Sequence, residues 1–266
     1  LDCFSIEGTA LGKNWESLPL LRLERDPQNP ARNVDFQLCH DKANLYLRYN
    51  VRGAGPFRNG GEQWDRLFKS GACADLMLGL QADADPKRRA PVAGDKRILI
   101  ANMKDKPVVV LYEAVVPGTP QDKRWEVVSP TGRTEFDQVS LLTEAQIVWK
   151  PILADPAKPT SVVGYTLEVT LPFKAIGLDP QPGRRIKLDW GILETDSEGA
   201  AVLSRSYWAN KTTSTLADAP TEARLEPDLW GWAIFSGGSL EKPTLAEPGS
   251  LQTPAKDSAT ELELEE

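Results

Sequence analysis

Apolar and polar residues alternate with a period of two along most of this chain. Tyr165, Leu167, Val169 and Leu171 are interleaved with Thr166, Glu168 and Thr170. That is the pattern of a strand with one buried face. Pro172 stops it, since proline cannot donate to a ladder. Phe173 to Ile176 is long enough for one helical turn, and Gly177 can close it with a positive φ. Pro180, Pro182 and Gly183 build the next turn. Ile186, Leu188, Trp190 and Ile192 start a second alternating strand, expected to pair with the first and to end at Asp196-Ser197-Glu198-Gly199.

The same reading predicts a hairpin of 34–40 and 44–51 across Asp41-Lys42-Ala43. It predicts strands at 74–80, 97–103, 108–113, 125–128, 136–139, 145–149, 202–208 and 230–235. Gly53 to Gly61 is a glycine-rich loop. Its third glycine position holds Arg58 and no βαβ unit follows, so it is not a dinucleotide motif. Gln63 to Lys69 reads as a short helix with Trp64, Leu67 and Phe68 on one side. Residues 82–94, 151–159 and 209–228 read as loops. No long helical periodicity and no internal repeat occurs. The fold class is therefore all-β: about a dozen strands in a two-sheet antiparallel β-sandwich, jelly-roll-like, with short helical turns.

Composition agrees. The 266 residues, 41% hydrophobic with 21 prolines and 20 glycines, suit one large core of short strands joined by turns. One sandwich domain is expected over 1–235. From 236 to 266 glycine, serine, proline and glutamate dominate, and the segment holds seven acidic and two basic residues. Such a tail buries too little apolar area to offset its ordering entropy, so a disordered tail or linker is expected. The net charge of -7 resides mostly there. No basic stripe points to nucleic acid. Lys87-Arg88-Arg89 reads as a solvated loop. No apolar run is long enough to span a bilayer. The chain starts near its first strand without a leader, which suggests a mature form or an excised domain.

Several pieces of the chain resemble the family 9 carbohydrate-binding modules and their DOMON-like relatives. The order strand, Leu171-Pro172, short turn, Gly177-Leu178-Asp179-Pro180-Gln181-Pro182-Gly183, strand, Asp196-Ser197-Glu198-Gly199 is similar to the second half of those modules. Phe4-Ser5-Ile6-Glu7-Gly8 with Asn14-Trp15 is similar to their opening. Asp41-Lys42-Ala43-Asn44-Leu45-Tyr46-Leu47 looks like their hairpin. Asp75-Leu76-Met77-Leu78, Ser206-Tyr207-Trp208 and Leu229-Trp230-Gly231-Trp232 fit further segments. The resemblance implies an extracellular or periplasmic, non-catalytic domain that binds a mono- or oligosaccharide, cut from or joined to a larger secreted protein.

A sugar needs aromatic rings for its C–H faces and planar polar groups for its hydroxyls. Eight tryptophans are available. Trp190 is in step with core positions and Trp15 resembles a packing residue, while Trp125 and Trp230 are open. The resemblance implies a pair of tryptophans around a terminal sugar. Trp64 and Trp208 are the expected pair, because both lie at loops with polar neighbours, and Asn59, Arg205 and Asn210 are the expected hydrogen-bonding partners. Asp196 and Glu198 make an acidic turn that is a candidate for Ca²⁺; a plain polar hairpin turn is the competing reading.

Other chemistries find less. His40 is the one histidine, with no G-x-S-x-G elbow and no C-x-x-C. Glu168 with Asp189, and Asp75 with Glu113, are the carboxylate pairs a glycosidase reading would test. DOMON-like relatives include haem b carriers for electron transfer, which would call on Met77 or on Met103 beside Lys104. A purely structural sandwich without a ligand is the third reading. Cys3, Cys39 and Cys73 form neither a zinc motif nor a disulfide framework. One bridge from Cys3 to Cys39 is compatible with an oxidising compartment, and burial as small apolar residues is the alternative.

Overall fold

The computed structural model describes residues 2–5, 15–129, 132–212 and 224–239. The expected tail from 240 onward lies outside them, as does most of the opening motif. In chain order the strands are β1 (Asp2–Ser5), β2 (Leu21–Glu24), β3 (Asn33–His40), β4 (Asn44–Arg52), β5 (Cys73–Gly79), β6 (Asp95–Met103), β7 (Lys106–Glu113), β8 (Trp125–Ser129), β9 (Gly132–Phe136), β10 (Gln138–Leu141), β11 (Gln146–Leu153), β12 (Val162–Pro172), β13 (Arg185–Thr195), β14 (Val202–Tyr207) and β15 (Gly231–Ser239). The single α-turn among them is α1 (Phe173–Ile176), closed by Gly177 at φ 67° as the sequence predicts.

Two layers face each other. The first runs β10-β7-β6-β5-β13-β15, with β14 continuing along β13; the second runs β3-β4-β12-β11, with β2 on β3. Strand β1 joins them, parallel to both β15 and β3. The other pairings between these strands are antiparallel. The alternation read from the sequence fills the space between the layers. Leu45, Leu47, Tyr49 and Val51 meet Leu76, Leu78, Ile186, Leu188, Trp190 and Ile192, all buried in one cluster. Phe36 stacks on Trp190 at 4.4 Å.

Three expectations are corrected. Strands β12 and β13 do not pair: β12 lies between β4 and β11, and β13 between β5 and β15. The turn α1 therefore carries the chain from one layer to the other. Strand β11 continues through Pro151 to Leu153, which an edge strand tolerates because one of its sides has no ladder to feed. The segment expected at 136–139 splits at Asp137 into β9 and β10, with the Asp137 amide donating to the Ala114 carbonyl. Strand β2 and most of β9 carry too short or too polar a pattern to be read in advance, and β15 extends to Ser239, past the expected domain end at 235.

Candidate functional site

Strands β5, β6 and β13 present a second face, away from the shared core. Its side chains include Cys73, Asp75, Met77, Arg97, Leu99, Lys187, Asp189 and Leu193. This outer face is covered by a 3-10 helix at Trp64–Lys69, by the separate hairpin β8–β9, and by the segment leading into β15. A buried ion pair anchors it. Arg97 donates from Nε and Nη2 to the Asp75 carboxylate at 2.9 and 2.7 Å, and Tyr207 Oη donates to the same carboxylate at 2.6 Å. The guanidinium lies over the rings of Phe68 and Tyr112 at 5.1 and 5.8 Å. Burial this complete positions the face rather than offering it to a ligand.

The residues expected to bind sugar separate on this frame. Trp64 is 36% exposed at the end of the glycine-rich loop. The 3-10 helix it opens is kinked at Arg66, so Leu67 and Phe68 turn inward while Trp64 does not. Trp208 leaves β14 in the opposite sense from Tyr207. Its ring packs against the inter-layer core and lies across Gly231, and its amide donates to the Trp190 carbonyl at 2.8 Å. Trp64 is thus open to solvent, and Trp208 is packed against the inter-layer core.

Asn59 is fully buried. Its amide donates to the Leu67 carbonyl at 2.9 Å and accepts from the Gly61 amide at 3.0 Å, so it ties the glycine-rich loop to the 3-10 helix. Arg205 is also buried and donates to the Phe68 carbonyl at 3.3 Å. Both hold backbone in place. Asn210 is half-buried; its side-chain oxygen accepts from Thr212, and its amide donates to Asp189.

Asp189 sits where the edge of β13 passes from β15 to β14. Its carboxylate accepts from the amides of Trp190, Ala209 and Asn210 at 2.8–2.9 Å. Burial pushes this carboxyl up to about 6, against the pull of those amides and of Lys211. The carboxylate pairs do not converge. Glu168 is beside Arg48 in the other layer, and Glu113 is bonded to Lys96 at 2.7 Å, on the face of its layer opposite Asp75. Asp196 closes its own turn by accepting from the Ala200 amide at 2.8 Å, and those amides hold its carboxyl below the usual range. Neither Asp196 nor Glu198 belongs to a group of three or more potential metal ligands among the described residues. Cys39 and Cys73 are buried free thiols.

An aromatic chain runs from the 3-10 helix under the β8–β9 hairpin. Phe68 contacts Tyr112 at 6.1 Å, Tyr112 contacts Trp125 at 5.9 Å and Phe136 at 5.3 Å, and Trp125 meets Phe136 at 5.8 Å. Trp125 Nε1 donates to Asp65 at 2.5 Å, which fixes the residue next to Trp64 to the hairpin. At the far end of this chain, beyond Phe136, opens a cleft of about 360 Å³. The hairpin gives it Arg133, Thr134 and Glu135; the loop before β6 gives Arg89 and Pro91; Arg224 and Leu225 close the third side. Met77 and Met103, on which the haem alternative would call, do not line it.

In the loop carrying Arg89, Lys87 and Arg89 are solvated as the sequence suggests, and Arg88 between them is not. Arg88 is buried and forms a two-point pair with Asp95, with Nε donating to Oδ2 at 3.0 Å and Nη2 to Oδ1. The Val92 amide donates to the same carboxylate at 2.8 Å. Gly79, on the neighbouring strand, leaves room for that guanidinium. Sequence reasoning passed over this cleft, because a run of three cations beside a proline looks the same whether its middle member is buried or solvated.

A doubly layered β-sandwich with loops and a hairpin gathered on one outer face is a common architecture of ligand-binding domains. Among solved structures the chain is similar to a carbohydrate binding module of family 9 from Caldicellulosiruptor kristjanssonii in complex with cellotriose. The TM-score is 0.52 at 14% identity, covering 93% of this chain and 100% of that one. A structure of a family 9 module from the same organism in complex with glucose matches at 13% identity and TM-score 0.49, covering 91% and 98%. No family model and no curated protein sequence matches the chain. The fold resemblance read from the sequence is thus borne out; at such identity it speaks for fold alone.

Proposed function

We propose that the chain is a non-catalytic carbohydrate-binding domain, working outside the cytoplasm alongside other domains of a larger protein. The observation that carries this reading is the fold shared with a sugar-bound module over that module's whole length. Two features of the site support it. Trp64 stands exposed beside the glycine-rich loop, with Asp65 pinned by Trp125, so its ring can meet a sugar face without reordering the backbone. The acidic residues that a glycosidase would need in facing pairs are instead tied to Arg48, Lys96, Arg97 and backbone amides.

Titration with glucose, cellotriose and a wider panel of neutral saccharides, followed by calorimetry and intrinsic fluorescence, tests the proposal. A saturable signal with at least one sugar is expected. Trp64→Ala should weaken it about tenfold or more while leaving the melting temperature within a few degrees. No binding to any saccharide, neutral or charged, would overturn the reading.

A further inference from the structure

We infer that the cleft between the β8–β9 hairpin and the loop before β6 takes the carboxylate of an acidic sugar, so that the saccharide recognised is a uronate. This rests on the carbohydrate-binding reading and adds to it a second subsite, at the far end of the aromatic chain from Trp64, with its own ligand class.

Charge is the first argument. Arg89, Arg133 and Arg224 line the cleft beside Glu135, and Arg133 is shared between Glu135 and Glu126. Glu135 is already held by Arg133 Nε at 2.7 Å and by Arg124 at 3.6 Å. That leaves Arg89 and Arg224 as the guanidiniums at its rim to meet an anion, on a chain whose net charge is -7. Arginine presents a planar fork that matches a carboxylate in two-point fashion, which neutral sugar hydroxyls do not need.

Placement is the second. The side chain of Arg89 is 92% exposed and its one ion pair, to Asp228, spans 3.7 Å. A contact so long and so wet holds the guanidinium weakly, while the buried Arg88–Asp95 pair next to it fixes the backbone from which it projects. The result is a positioned stem with a loosely held head, a combination that binds without reordering the loop.

Shape is the third. At about 360 Å³ the cleft falls in the range of roughly 300–1,000 Å³ typical of small-molecule sites. Pro91 gives it apolar surface below the arginine rim, and Ala114, Phe136 and Leu225 are buried beneath as its floor. A pyranose ring carrying a carboxylate has that same division, with a C–H face and one charged edge.

The test compares tri-galacturonate, cellotriose and tripolyphosphate as titrants of the full chain by calorimetry at low and high salt, using wild type, Arg89→Ala/Arg224→Ala and Arg89→Lys. Expected is binding of tri-galacturonate that weakens with salt, drops about tenfold or more in the double variant, and is partly lost in Arg89→Lys. Cellotriose binding, where present, should not change in the double variant. Tri-galacturonate affinity that the double variant leaves intact overturns the inference. So does tripolyphosphate bound as tightly as tri-galacturonate, which would mark a general anion patch. Cellotriose bound with no response to tri-galacturonate sinks the uronate inference but leaves the carbohydrate reading standing; silence toward both sugars sinks both. Circular dichroism of the double variant guards against misfolding, and the exposed Arg89 makes an unchanged spectrum the expected control.

Discussion

The contact of Trp208 with Gly231 makes a prediction with a sign reversal in it. Gly231 has no positive φ, so its backbone does not call for glycine. What excludes a side chain is the indole: a Cβ at 231 would lie 2.5 Å from Trp208 Cη2 and closer still to Cζ3. In an ordinary strand, glycine is worse than alanine by about 0.5–1 kcal/mol. Gly231→Ala in the wild type should nevertheless destabilise, because the methyl expels a half-buried tryptophan from the inter-layer core. Loss of a buried tryptophan costs about 3–5 kcal/mol; a ring that is half-exposed should cost about 2–3. Trp208→Ala alone should cost the same. In the Trp208→Ala background, Gly231→Ala should become neutral or stabilising, giving a coupling of about 2 kcal/mol or more between the two sites. Urea unfolding of the four proteins, followed by far-ultraviolet circular dichroism, measures the cycle. Equal destabilisation by Gly231→Ala in both backgrounds would refute the reasoning and show that 231 needs glycine for its own sake.

Further predictions concern buried polar groups. Asp189 has a folded pKa of about 6, above its unfolded value near 3.9, so its contribution to stability is fully present below about pH 4 and lost as pH rises through 6, by roughly 3 kcal/mol. Stability measured from pH 4 to 7 should fall more steeply for wild type than for Asp189→Asn, and parallel curves would contradict this. Arg97→Met should cost about 3–5 kcal/mol by stranding the Asp75 charge, and adding Asp75→Leu should recover most of it; denaturant titration of single and double variants decides. In a Cys3→Ser background, Cys39 and Cys73 should react with a thiol reagent only as fast as the protein unfolds. Both are buried, and burial together with the nearby Asp41 pushes the Cys39 thiol up to about 12. Fast labelling of the native protein would argue against this packing.

How much was legible in the sequence depends on the range of the signal. The inward faces of β4, β12 and β13 could be read residue by residue, because a period of two over seven or more residues has one physical explanation. The turn at Phe173–Gly177 was legible for the same local reason. Pairing was not. The succession of β12 and β13 suggested a hairpin, yet α1 carries the chain across the core, and nothing in the alternation distinguishes the two outcomes. The candidate site suffered most. Asn59 and Arg205 have the composition of ligand-binding residues and sit in polar surroundings in the sequence, but both serve backbone groups that the fold brings from elsewhere: Leu67 and Gly61 for one, Phe68 for the other. Arg89 and Arg224 are far apart along the chain and meet only because the hairpin β8–β9 lies between them on the outer face.

The parallel pairing of β1 with both β15 and β3 also bears on the order in which the molecule can form. Asp2 aligns with Ile234, near the end of the described chain, while Phe4 aligns with Cys39. The meander β5-β6-β7 and the hairpin β3–β4 are local and can form early. The junction of the two layers must wait until β15 exists, and its loop-closure entropy is that of nearly the whole chain. During synthesis the two halves of the sandwich would stand side by side with β1 attached to β3 alone and the edge of β13 open. An open edge at that stage is a template for pairing with another chain. The late arrival of Gly231–Ser239 is then what converts two sheets with exposed margins into one continuous ladder.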